Sequence, residues 1–224
     1  MDRVIFSALA TTLIGCVATP SAFAASPHSI KIGSDIWWGS TKVDHTRRGW
    51  VDAPSLYLAY HPSRSALPDM SYRYTSVDSG EFAAFDKHDL SFYYNLLTHD
   101  LMTFDVGLTA TQYTDTRYRT ISSATPYKFN DFTLSLYSYA DIRVPDTQLR
   151  LMGQFEAGNM NGIKSTDFIA GLRYDIPFDS STVSFRGGYR VIDLEFSDLT
   201  PSSAGLAESL VLVDGYFIGA EISF

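Results

Sequence analysis

From Ile30 onward apolar residues recur at every second position, in segments of about ten residues, and this period of two constrains the fold more than any other feature. Side chains alternate across a strand, so each segment offers one apolar face and one polar or small face. The clearest runs from Leu101 to Tyr113, with Met102, Phe104, Val106, Leu108 and Ala110 on one face and Thr103, Asp105, Gly107, Thr109 and Thr111 on the other. Ten such segments can be drawn, beginning near Ile30, Pro54, Met70, Asp89, Leu101, Lys128, Leu149, Asp167, Val183 and Leu210. About ten residues carry a tilted strand across a bilayer. Connections near Thr98, Pro145 and Asp179 are short, whereas those from about Thr114 to Pro126 and from Asp193 to Ser209 are long. Short turns on one side and long loops on the other mark outer-membrane barrels.

Alternation alone does not separate a soluble barrel from one in lipid. One face of nearly every segment carries no charge, while the other mixes Arg, Asp and Glu with Gly and Thr. That composition suits acyl chains outside and a polar lumen inside. A soluble domain usually scatters Lys over its wet face; the candidate inward positions here hold Arg instead. Trp38, Tyr60, Tyr72, Tyr189 and Tyr216 fall near segment ends, where aromatic girdles meet headgroups. No apolar run of the ~18 residues needed for a spanning helix follows the first two dozen residues, so entry into a membrane is by strands. The sheet must then close, because an open edge in hydrocarbon leaves backbone groups unpaired. The expected fold is an all-β, closed, antiparallel up-and-down transmembrane barrel of about ten strands, with eight as the alternative.

Arg3 precedes an almost uncharged stretch from Val4 to Thr19, followed by Pro20 and by Ala22, Phe23 and Ala24. This is the pattern of a signal peptide cut after Ala24, giving a leader of 1–24 and a barrel domain of 25–224. Leu13, Ile14, Gly15 and Cys16 offer a lipobox as the alternative. With one cysteine in the chain, no internal disulfide is possible. The net charge of −8 argues against nucleic acid as a partner.

The sequence ends Tyr216, Phe217, Ile218, Gly219, Ala220, Glu221, Ile222, Ser223, Phe224. Phe217, Gly219, Ile222 and Phe224 stand where outer-membrane barrels carry their C-terminal assembly signal, and this resemblance implies the barrel-assembly machinery and periplasmic chaperones as partners. The segments from Arg73 to Asp78 and from Asp89 to Leu97 resemble a family of small proteobacterial outer-membrane barrels of unassigned activity, in the OmpA- and OmpW-like class. The resemblance implies a fold and a location, and it carries no functional residues across.

With polar faces turned inward, the lumen receives the acids Asp35, Asp89, Asp105, Asp131, Asp141, Glu156, Asp167, Asp175 and Glu221, and the bases Lys31, Arg73, Arg143, Arg150, Arg173, Arg186 and Arg190. Of these, Arg73, Asp89, Asp105, Asp131, Arg150, Glu156, Arg173, Asp175, Arg186, Arg190 and Glu221 are expected to form a charge network that fills a narrow barrel. The expected role is structural or surface-interacting, as a monomer among outer-membrane lipid and lipopolysaccharide, without cofactor or metal and without enzymatic activity. A narrow channel for ions or small polar solutes is the alternative. A surface hydrolase is the third reading: His88 with Asp86 and Asp89, or His45 with Asp44, could make a carboxylate-oriented base for water or Ser76. Asp78 and Glu81, or Asp193, Glu195 and Asp198, could meet a divalent ion, but their spacing lacks the regularity of a calcium loop.

Overall fold

A computed structural model describes residues 28–63, 66–120, 125–197, 199 and 209–224. The leader, the lipobox alternative at Cys16, and Asp198 therefore lie outside the described residues. The strands are β1 (Ser29–Val43), β2 (Thr46–His61), β3 (Asp69–Asp78), β4 (Ala83–His99), β5 (Met102–Tyr118), β6 (Phe132–Arg143), β7 (Leu149–Met160), β8 (Ile163–Pro177), β9 (Thr182–Phe196) and β10 (Ser209–Ser223). Each pairs antiparallel with its sequence neighbours, and β1 pairs with β10 from Lys31↔Ser223 to Val43↔Val211, so the ten-stranded sheet closes. Backbone bonds between Ile30 and Phe224 in both directions (3.2 and 2.9 Å) finish the seam at the terminus side.

The connections correct the expected contrast of lengths. On the side opposite the termini, here the loop side, 119–131 and 197–208 are long, but 44–45 and 161–162 are two-residue turns. Asp44 and His45 (φ 49° and 63°) and Asn161 and Gly162 (φ 54° and 74°) have the paired positive φ of hairpin turns that follow strand twist. The loop expected at 114–126 is displaced without being shortened, because Thr114 to Tyr118 extend β5 while β6 starts only at Phe132, and the loop expected at 193–209 shrinks because Asp193 to Phe196 extend β9.

The apolar faces point outward as the alternation predicts. Leu136 is 69% exposed and Tyr216 71%, and Ile32, Ile36, Leu58, Phe92, Leu108, Phe155, Leu172 and Ile218 join them in a belt around the wall. On β1 the belt starts at Ile30 and ends at Trp38, level with Tyr216. A strand of 15 residues such as β1, rising about 3.4 Å per residue and tilted about 40°, stands roughly 39 Å tall, against an apolar band of about 25 Å. The excess lies on the loop side.

In that excess the polarity of the wall reverses. Val43, Val51, Val77, Phe85, Tyr113, Ile192, Leu194, Phe196, Val211 and Val213 point inward and pack with Phe129 of the 119–131 connection. Lys42, Lys164 and Asp214 face out between them, with Lys164 paired to Glu195 (2.7 Å) and Lys42 to Asp214 (3.5 Å). The barrel thus has two zones: a greasy belt around a polar lumen, and above it a water-facing wall around an apolar core. Tyr118 Oη donates to Asp44 Oδ1 (2.6 Å), tying the end of β5 to the β1–β2 turn over the top of that core.

Candidate functional site

The lumen within the belt is built from the inward positions of every strand, and their charges form layers. Deepest, beneath the apolar core, Lys87 is 2% exposed. Its ammonium donates to Asp89 Oδ2 (2.7 Å), Asp167 Oδ2 (2.9 Å) and Glu156 Oε2 (3.4 Å). Arg190 grips Asp167 with Nε (3.0 Å) and Nη2 (2.7 Å), reaches Thr75 Oγ1 with Nη1 (3.1 Å), and lies over the Trp37 ring (5.3 Å). Thr111 Oγ1 donates to the remaining oxygen of Asp89 (2.7 Å). The carboxylates of Asp89, Glu156 and Asp167 bring oxygens within 4.8 Å of one another, a spacing a metal could span, and Lys87 supplies the positive charge among them.

One layer nearer the termini, Arg186 on β9 reaches Asp35 on β1 across the intervening strand β10, with Nε to Oδ1 at 2.8 Å and a second bond from Nη2. The register explains the reach, since Arg186, Gly219 and Asp35 stand side by side and Gly219 has no side chain to block the pair. A Cβ there would strike the Asp35 carboxylate and the Ser34 carbonyl. Gly219→Ala is accordingly expected to cost about 1–3 kcal/mol through overpacking, read as a lower urea midpoint for the barrel in lipid vesicles. An unchanged midpoint would mean that the pair does not need the gap. The Tyr57 ring lies flat over Gly33 and under the Arg186 guanidinium (4.2 Å), and its hydroxyl donates to Glu221.

Toward the terminus-side rim, Arg150 and Arg173 share Asp141 and Asp175 at 2.8 to 3.1 Å, and Ser184 also donates to Asp175 (2.7 Å). Gln154 links Arg73 (3.1 Å) to Glu156 (2.6 Å). Asp105 accepts from Asn95 (2.7 Å), and His61 Nδ1 meets Asp69 Oδ2 (3.0 Å).

Ten of the eleven residues expected to form the network thus face this lumen. Asp131 does not. It precedes β6 on the loop side, where Asn161 donates to its carboxylate (3.1 Å), because the strand starts four residues later than the alternation suggested. The contrast of inward Arg with Lys, to which Lys31 is already an exception, also fails at the most buried cation, Lys87. The segment drawn from Asp89 stops two residues short of Lys87, which the same period of two puts on the inward face.

The histidine readings change with the geometry. His88 points to the exterior, between Tyr72 Oη (2.9 Å) and Thr114 Oγ1 (3.2 Å), while Asp89 lies on the opposite face and Asp86 accepts from Tyr74 Oη (2.8 Å). Neither acid therefore orients it. Asp44 is taken up by Tyr118 and the Leu210 N–H (3.1 Å). Asp78 and Glu81 each pair with an arginine, Arg117 (2.9 Å) and Arg119 (3.1 Å). In the C-terminal strand Phe217 is buried inward, Gly219 opens the gap described above, and Phe224 is exposed.

No protein-family model and no curated protein matches the sequence. Among solved structures, the chain is similar to the outer membrane protease OmpT from Escherichia coli at 10% identity and a TM-score of 0.45, over 91% of this chain and 99% of that one. The similar barrel is described as a protease, which stands against the expectation that the chain has no enzymatic role. At that identity and score the likeness transfers no activity and no site residue. What stands of the resemblance drawn from the sequence is the class, a closed ten-stranded antiparallel barrel, and it rests on the chain's own ladder of strands. The narrower OmpA- and OmpW-like group draws no support from these comparisons.

Proposed function

We propose that this chain is an integral barrel of a Gram-negative outer membrane, plugged along its axis, whose role is structural or exercised through contacts of its loop-side rim. The observation that carries the plug is the stacking of two kinds of filling: ion-paired layers within the belt, then an apolar core from Phe85 to Phe196 above them. A conducting path would have to cross both. In this reading residues 1–24 direct export, outer-membrane lipid and lipopolysaccharide solvate the belt, and Phe217, Gly219, Ile222 and Phe224 are read by the barrel-assembly machinery after periplasmic chaperones deliver the chain. Both termini then lie in the periplasm and the barrel is a monomer.

Planar-bilayer recording tests the plug. The folded chain is expected to give no stepwise conductance, whereas Phe85→Ala with Phe129→Ala and Lys87→Met, which thin both fillings, is expected to open discrete events. Stepwise openings from the unaltered chain that change when Arg186 or Arg190 is neutralised would replace the plug with a channel.

A further inference from the structure

The terminus-side half of the lumen is incompletely filled. A cavity of about 80 Å³ extends from Lys31 and His61 at the rim to Asp89 and Glu156 at its floor. That is about half of the roughly 150 Å³ that accommodates benzene, so it admits a compact group and not a polymer. Its charges are unequally satisfied. Asp89 and Glu156 are held by Lys87 from the layer beneath, and Arg173 and Arg186 by carboxylates beside the cavity. Four charges remain without an ion pair among the described residues: Asp105, Glu221, Lys31 and Arg73.

The two acids each accept a hydrogen bond from the protein, from Asn95 and from Tyr57. Arg73 differs. Only its Nη2 has a protein acceptor, Gln154, while Nε and Nη1 are buried with none. Leaving charged donors unmatched in a protein interior costs more than the 1–3 kcal/mol of a neutral group. A small turn of the Arg73 guanidinium toward the cavity would let an oxygen-rich anion supply the missing acceptors, and Lys31, one inward-facing row nearer the rim, adds a second positive charge along the way in.

We propose that this cavity binds a compact oxyanion, a phosphate or a carboxylate group, against Arg73 with Lys31 in attendance. The cavity lies on the terminus side of the plug and shares its ion-paired floor, but anion binding there does not depend on the surface role proposed above. With the full chain folded in detergent, calorimetric titration at constant ionic strength would use inorganic phosphate, acetate, and choline as a cationic control. Saturable binding of phosphate or acetate is expected, with no heat from choline. Arg73→Met is expected to weaken that binding about tenfold or more, the worth of one charge-assisted hydrogen bond. Lys31→Gln is expected to weaken it less. Should Arg73→Met fail to fold, judged by heat-modifiable gel migration, Lys31→Gln decides, and unchanged affinity in that variant overturns the proposal. So does the lack of saturable binding by either anion, or binding of choline in their place.

Discussion

Replacing Lys87 with methionine is expected to destabilise the barrel by about 3–5 kcal/mol, the usual cost of removing one partner from a buried ionic cluster. Lys87 touches three carboxylates at once, each almost fully buried, and only Asp167 has another cation to fall back on, Arg190. The loss therefore comes from the stranded charges of Asp89 and Glu156 more than from the missing contacts. Neutralising them in the same chain, as Lys87→Met with Asp89→Asn and Glu156→Gln, should recover most of the stability, a non-additivity expected of residues in one network. Urea titration in lipid vesicles, followed by tryptophan fluorescence, measures both. A cost under about 1 kcal/mol for the single change would show that the ammonium is not the counter-ion of this layer.

The second large effect concerns the belt. Leu136 lies midway along the outward face of β6, beside Leu108 and Ala157 on the neighbouring strands. Leu136→Arg is expected to cost about 2–4 kcal/mol in vesicles, as for a cation at the midplane of an outer-membrane barrel. Leu212→Arg makes the same chemical change beyond Tyr216, next to Asp193, and should stay within about 0.5 kcal/mol. If the two changes cost the same, the exterior of β6 does not face hydrocarbon and the orientation of the barrel in a membrane is wrong.

The alternation carried the architecture because a strand that faces lipid on one side and a polar lumen on the other obeys one rule along its length. Segments such as 101–113 were legible for that reason, as were the inward places of Arg186, Arg190 and Asp167. The same rule misled where it changed sign. In β9 the inward series passes from Arg186 and Arg190 to Ile192, Leu194 and Phe196, while Asp193 and Glu195 move to the outside. Under a polar-in, apolar-out rule this reversal looks like the end of β9, while in β5 a bulge at Asp115 breaks the period of two itself, so that Tyr113 is followed inward by Thr116 and Tyr118. The hairpin at Asn161 and Gly162 was available from that dipeptide alone. The layers of ion pairs were not, because pairing Arg186 with Asp35 requires knowing that β1 and β10 meet and that Gly219 leaves room between them.

In the proposed orientation, the surplus height of the strands sets what the cell displays. Whatever approaches through the sugar coat meets, beside the connections 119–131 and 197–208, a raised wall with its own dry filling. Residues on its outer surface, among them Lys164, Asp193 and Glu195, take no part in that filling, so exchanging them leaves the masonry behind them in place.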